Sequence, residues 1–443
     1  MFFPRGGSAH VARALATELP AYGWDVTLVT GSLSDSHGDA RAFYQGLDVR
    51  PIDFAAGDAP MHPSFEDRPG ATDGVFAAVD DAGFERHVAA WSRAFAAADA
   101  DACDVLHLHH LTPLHEAAAR VAPDVPVVTH LHGTELLMLE EIADGAPWPH
   151  AAAWVRRMRR WAQDSERILV LSPGQVDRAV ALLGVDPDRC VLSPNGFDPE
   201  RFDEVEVDRA AHWRRHLVTS PRGWAPGEDE GSIAYTEAEI APLARGPVAI
   251  GVSRFTAVKR LGLLVRAWAG AQAAGRLPQD ASLVLLGGYP GEWEGEHPYD
   301  AVAASGARNV FLAGWHGHDE LPAFLSAADV NVLASVREQF GSVLVEGMAC
   351  GLPPIAVDRF GPADIVEDGV TGWLVPPDDR DALADALAEA LGDPVERRRR
   401  GRRAWHDARE RYSWPALAAD LAEVFDEVAD VADGRLSEQA PVA

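Results

Sequence analysis

The sequence predicts an α/β protein built from two doubly wound domains. A chain of 443 residues is too long for one ordinary core. Strand-like apolar runs alternate with helix-like stretches along its length, and the series restarts after a polar, Pro/Gly-containing break near 195–204. In the first half the strands fall at 25–30, 104–108, 125–130 and 168–171. In the second they fall at 248–252, 283–286, 309–312, 330–333 and 354–357. The break sets the domains at 1–199 and 200–414. After Ser413-Trp414-Pro415 an amphipathic stretch predicts a closing helix within 415–433, and 434–443 reads as a disordered tail.

Two stretches interrupt the alternation. The segment 212–245 is polar and carries Trp213, Trp224 and Tyr235, and the loop 287–299 carries Trp293. Their aromatics argue for packing, with stacking on sugar rings as a second use.

The net charge is −29, from 39 Lys and Arg against 68 Asp and Glu. That repels nucleic acid and anionic lipid. The run Arg156-Arg157-Met158-Arg159-Arg160 between Trp154 and Trp161 reads first as a solvated helix face, and second as a helix making peripheral contact with a membrane. Three scattered cysteines, Cys103, Cys190 and Cys350, give neither a disulfide framework nor a zinc spacing and point to a reducing, cytoplasmic setting.

The residues from Glu338 to Pro353 carry the strongest chemical signal. From Val343 to Cys350 every residue is apolar or small except Glu346, and Gly351 ends the run, so a buried helix carries one carboxylate. A buried glutamate needs a partner. An internal Arg or Lys is the plainer partner, and a ligand hydroxyl the sharper one. Glu338 precedes the helix beside Phe340-Gly341-Ser342, whose amides suit an anion. Upstream, the strand 248–252 runs into Arg254 and Lys259. In an open α/β sheet the carboxyl ends of strands line the ligand crevice, which aims both cations at a phosphorylated ligand.

The pair Arg254 and Lys259, the spacing of Glu338 and Glu346, Ser193-Pro194-Asn195-Gly196-Phe197-Asp198 with Arg201-Phe202, His132-Gly133-Thr134-Glu135 and the opening Pro4-Arg5-Gly6-Gly7 occur in an order that resembles family 4 of the retaining glycosyltransferases. The resemblance covers nearly the whole chain. It implies the GT-B fold, with two Rossmann-like domains facing a central cleft and the last helix crossing back to the first domain. It implies a nucleoside diphosphate sugar as donor, held mainly by the second domain, and an acceptor met by the first.

By that resemblance the catalytic set is His132, Arg254, Lys259 and Glu338. Glu346 would hold the ribose hydroxyls and Glu338 the donor sugar. Phe340, Gly341 and Ser342 would bind the diphosphate through their amides, beside the two cations. Gly314 and Trp315, up to His316, would meet the base, Gly7 the donor, and Gly6, Ser8 and His10 the acceptor. No cofactor and no metal are implied. The acceptor class stays open between a small molecule, a polysaccharide and a lipid-linked sugar. The alternatives are a GT-B epimerase or phosphorylase, and a non-catalytic nucleotide-sugar-binding relative.

A zinc enzyme is the rival reading, from His107, His109, His110, His115, His130 and His132. His-x-His without an acid or thiol at ligand spacing is a weak metal signal. Asp379-Arg380-Asp381 starts a helix, so capping is its expected job. There is no Gly-x-x-x-x-Gly-Lys-Ser/Thr loop, no Gly-x-Ser-x-Gly elbow and no Gly-x-Gly-x-x-Gly, which disfavours ATPase, hydrolase and dehydrogenase chemistry. Only Met1-Phe2-Phe3 precede the Gly-Gly loop where the resemblance implies a whole strand. The expectation is a native start several codons upstream and an extended form that is more stable.

Overall fold

The computed structural model describes residues 4, 7–34, 38–66 and 74–432. Met1 to Phe3, Arg5, Gly6 and the tail from 433 lie outside the described residues, as do the readings that fall on them. The chain divides into two compact units, Met1–Asn195 with Trp414–Ala443, and Gly196–Ser413.

The first unit contains β1 (Thr27–Ser32), β2 (Asp48–Asp53), β3 (Leu106–His109), β4 (Val127–His130), β5 (Arg167–Val170) and β6 (Cys190–Leu192), all paired in parallel. β1 pairs with β2, and β3 to β6 form a four-stranded sheet in sequence order. Among the described residues β1 and β3 do not pair with each other. A cavity of about 340 Å³ lies between them, lined by Thr27, Leu28 and Val29 on one side and Leu106 to His109 on the other.

Residues 414–432 form a helix belonging to this unit, where Leu421 and Phe425 pack with Val11 and Leu15 of the helix Gly7–Glu18 and with Leu19 just after it. The basic helix Ala151–Asp164 turns Trp154, Met158 and Trp161 into the core. Its Trp residues therefore face protein, which removes the apolar face that the membrane reading needed. Among the described residues no helix is long and apolar enough to cross a membrane.

The second unit contains β7 (Val248–Val252), β8 (Ser282–Leu286), β9 (Val310–Gly314), β10 (Val330–Leu333), β11 (Pro354–Val357) and β12 (Trp373–Val375), in the order β12-β11-β10-β7-β8-β9. All are parallel, and the order reverses between β7 and β10. Strands covered by helices on both faces need no polar alternation, so β7, β8 and β9 are buried almost throughout. The segment expected to be an irregular insertion folds into the helix Arg209–Arg214, a π-helical turn at Arg215–Thr219 and the helix Glu237–Arg245. Trp213 and Trp224 are fully buried there, Trp224 stacking on Phe255 at 5.7 Å. That corrects the sugar-stacking role offered for them, because neither ring reaches solvent.

Asp379 caps the helix Arg380–Gly392, its side chain accepting from the amides of Asp381 and Ala382. The capping role expected from sequence is the one observed.

Candidate active site

Strand order reverses between β7 and β10, and the carboxyl ends of strands at such a reversal are the usual ligand position in open α/β sheets. The loops leaving these strands are tied together: the amide of Val336 donates to the Val258 carbonyl at 3.0 Å, and Ser335 Oγ to the same carbonyl at 3.3 Å. This brings Lys259, after β7, against Glu338, after β10, and Lys259 Nζ donates to Glu338 Oε2. Both side chains are mostly buried, at 16% and 21% exposure. The two residues, 79 positions apart, thus neutralise each other, which the sequence did not reveal. Arg254 is exposed and makes no ion pair among the described residues.

The helix Ser342–Ala349 follows. Its N-cap is Gly341 at φ 109°, a left-handed conformation that favours glycine, and no side chain caps the first turn. Amides at the start of such a helix are left for an outside acceptor. Phe340 is buried, its ring edge-on to Tyr412 at 5.8 Å, and Ser342 is half-buried. One turn into the helix Glu346 is buried, as its setting predicts, but its partner is neither Arg nor Lys. His318 Nε2 bonds Glu346 Oε1 at 2.8 Å, and the His318 ring lies 4.9 Å from Phe202. Sequence reasoning missed His318, which stands 28 residues away in a loop with no fixed spacing to the helix.

Gly347, next to Glu346, has a close-packed neighbour. A Cβ there would lie 2.4 Å from Asn331 Nδ2, which donates to the Val343 carbonyl at 2.7 Å. Gly347→Ala is therefore expected to cost about 1–3 kcal/mol through overpacking and, on the expectation that Glu346 meets a ribose, to weaken nucleotide binding by shifting it. Thermal melting with and without nucleotide checks both, and an unchanged melting temperature would contradict it.

The end of β9 carries Gly314 and Trp315, which the sequence reading expects at the base. Gly314 has φ 74° and a Cβ there would lie 2.0 Å from the Arg222 carbonyl, so the 209–245 segment packs directly on it. Arg222 Nη1 reaches back to the Trp315 carbonyl and to Glu320. Trp315 is exposed, 6.4 Å from the exposed Tyr289 and edge-on to it, while His316 is buried.

In the first unit His132 follows β4. It is buried, with Nε2 2.9 Å from His109 Nδ1 and its ring stacked on His130 at 4.6 Å. Burial, reinforced by the neighbouring histidines, holds its pKa well below the usual histidine range, so the ring is neutral at neutral pH. Glu135, named within the His-Gly-Thr-Glu run, is fully buried. Burial raises its pKa, but His110 and the His132 amide that donates to Oε1 at 3.0 Å outweigh that and keep it low. On the helix Gly7–Glu18, Gly7 and His10 are exposed and Ser8 is half-buried, with His10 edge-on to Phe43 at 5.1 Å. Gly6 lies outside the described residues.

Residues 5–201 match the family described as Glycosyltransferase Family 4, and residues 237–406 that described as Glycosyl transferases group 1. The chain is 29% identical over 350 residues to an alpha-maltose-1-phosphate synthase of Mycolicibacterium smegmatis, covering 74% of this chain and 80% of that one. It is 29% identical over 343 residues to a D-inositol 3-phosphate glycosyltransferase of Salinispora tropica, covering 76% and 66%. Among solved structures, HepE of Anabaena in complex with UDP and glucose superposes with a TM-score of 0.66 at 18% identity, covering 96% and 98%. That likeness establishes the GT-B architecture.

Proposed function

The chain belongs to glycosyltransferase family 4 and is a glycosyltransferase; we propose that it moves a sugar from a nucleoside diphosphate sugar to an acceptor hydroxyl with retention of anomeric configuration. The observation that carries the donor-side assignment is the convergence at one strand-order reversal of Arg254, Lys259, Glu338, an uncapped helix start and Glu346. Glu346 accepts from the ribose hydroxyls, with His318 holding its other oxygen. Arg254, Lys259 and the amides from Phe340 to Ser342 take the diphosphate, and stabilise the charge that grows as it leaves. Glu338 serves the donor sugar, Gly314 and Trp315 the base.

In the transfer step the bond from the anomeric carbon to the diphosphate oxygen breaks while the acceptor oxygen bonds on the same face. The acceptor proton passes to the departing phosphate. No divalent metal is assigned to this step, because the protein's own cations carry the positive charge. His132, neutral by burial, is proposed for the sugar end of the donor, and Gly7, Ser8 and His10 for substrate contacts. Free Cys103, Cys190 and Cys350 support placement in a reducing compartment.

The test is a panel of UDP-, GDP- and ADP-sugars read by thermal shift and by slow donor hydrolysis, starting with UDP-glucose because the Anabaena protein was crystallised with UDP and glucose. Glu346→Ala is expected to weaken the preferred donor by about 10- to 100-fold, as hydrogen bonds to charged groups are worth about 1.5–3 kcal/mol. Unchanged affinity in a folded variant would remove Glu346 from the site.

A further inference from the structure

A second concentration of ligand-forming side chains lies in the first unit, apart from the donor-side residues. His107 and His109 stand two residues apart on β3 and so share one face, and His130 on β4 is the register partner of His109. One ligand atom from each of His107, His109 and His130 lies within 4.8 Å of the others. We propose that His107, His109 and His130 form a binding site for a divalent transition cation of the zinc class, coordinated by three imidazoles.

Four features support it. His107 Nε2 and His130 Nδ1 face each other at 3.3 Å. Two ligand nitrogens at about 2.0–2.1 Å from a tetrahedral zinc ion stand roughly 3.3–3.4 Å apart, so the pair already has the spacing of adjacent ligands. His130 is fully buried and its ring lies 5.4 Å from that of His107 and 5.1 Å from that of His109, so the three imidazoles form one compact cluster. His109 Nδ1 is engaged by His132 Nε2 at 2.9 Å, which orients the His109 ring as an outer partner orients a metal-bound imidazole and leaves Nε2 for an ion. Finally, the 340 Å³ cavity between β1 and β3 is lined by both His107 and His109, which gives an ion a route to the rings.

The chemistry of the donors sets the class of ion. Three neutral nitrogens suit Zn²⁺, Co²⁺, Ni²⁺ or Cu²⁺, and not Mg²⁺ or Ca²⁺, which take oxygen ligands. Glu135 supplies a buried negative charge beside His132, offsetting part of the cost of burying the cation. The other such cluster, His216, His316 and Glu320 in the second unit, is a poorer host. There Arg222 Nη1 already lies 3.2 Å from Glu320 Oε2 and 3.4 Å from His316 Nδ1, a fixed cation where the ion would sit.

The experiment uses the full chain freed of metal by chelator and then titrated with Co²⁺ and Zn²⁺. One equivalent of Co²⁺ should give visible ligand-field absorption, and Zn²⁺ should displace it and raise the melting temperature. His107→Gln and His109→Gln should each weaken binding at least tenfold, and His216→Gln should leave it unchanged. A nucleotide-induced thermal shift in each variant reports that the second unit is folded. Should the first-unit variants fail to fold, X-ray absorption on the zinc-loaded wild type decides, with three imidazole nitrogens expected. No binding at micromolar metal, binding lost only in His216→Gln, or fewer than three imidazoles in the absorption spectrum would overturn the proposal.

Discussion

Lys259→Ala is expected to lower kcat/KM for transfer more than tenfold in a chain that still folds, which corresponds to more than about 1.4 kcal/mol of transition-state stabilisation. Its ammonium group is one of two cations proposed to meet the departing diphosphate, and Arg254 alone cannot supply both charges. The pairing with Glu338 complicates a single substitution, since removing Lys259 leaves a mostly buried carboxylate without its counter-ion. A double-mutant cycle separates the two effects. If the pair were only structural, Lys259→Ala combined with Glu338→Ala would recover stability and activity together. On the present reading stability recovers, because no charge is stranded, and activity stays low because both functional groups are gone. Wild-type turnover should persist in EDTA at a temperature well below melting. Loss of turnover on chelation, restored by one divalent ion, would instead give the metal the role assigned to Lys259.

Much of this arrangement is legible in the chain because burial leaves a pattern. The strands β7, β10 and β11 occur at the residues expected, since a strand covered on both faces is a continuous apolar run with sharp ends. β2, β6 and β12 escape the same reading. β2 runs Asp48 to Asp53 with Pro51 inside it, and β6 and β12 are three residues each at sheet edges, too short or too polar for such a run. β1, β3, β4 and β5 are each shifted by one or two residues from the expected bounds.

The site divides in the same way. A lone glutamate in an apolar helix announces Glu346, and a strand ending in cations announces Arg254 and Lys259. What closes on them does not show in sequence: the His318 contact and the Lys259–Glu338 pair depend on loops brought together by the sheet order. The aromatics of 212–245 argued for packing although the stretch is polar, and Trp213 and Trp224 do anchor it to the core; its short helices left no apolar period to read.

In the chain freed of metal, acid should unfold the first unit well before carboxylates in general titrate. Burial lowers the pKa of His87, His107 and His115 to about 4 each, and pushes His62, His109, His130 and His132 well below the usual histidine range. Above about pH 6.5 these rings are neutral whether the chain is folded or not, and they give stability no pH dependence. As the pH falls below that value the unfolded chain binds protons that the folded unit refuses. Each such ring then costs about 1.4 kcal/mol per pH unit until its folded pKa is reached. At pH 5 the three rings near 4 would together remove about 6 kcal/mol, against a typical domain stability of about 5–15 kcal/mol. In the second unit four rings, His212, His216, His297 and His316, are lowered by the same cause against seven in the first, so it should follow the first unit and not precede it. Hydrogen exchange resolved by peptide between pH 7 and 4.5 should therefore show protection lost first in residues 74–195, and His87→Leu should flatten the pH slope by about one proton. Stability independent of pH from 7 to 5, or earlier loss in the second unit, would show that these rings do not stay neutral in the folded chain.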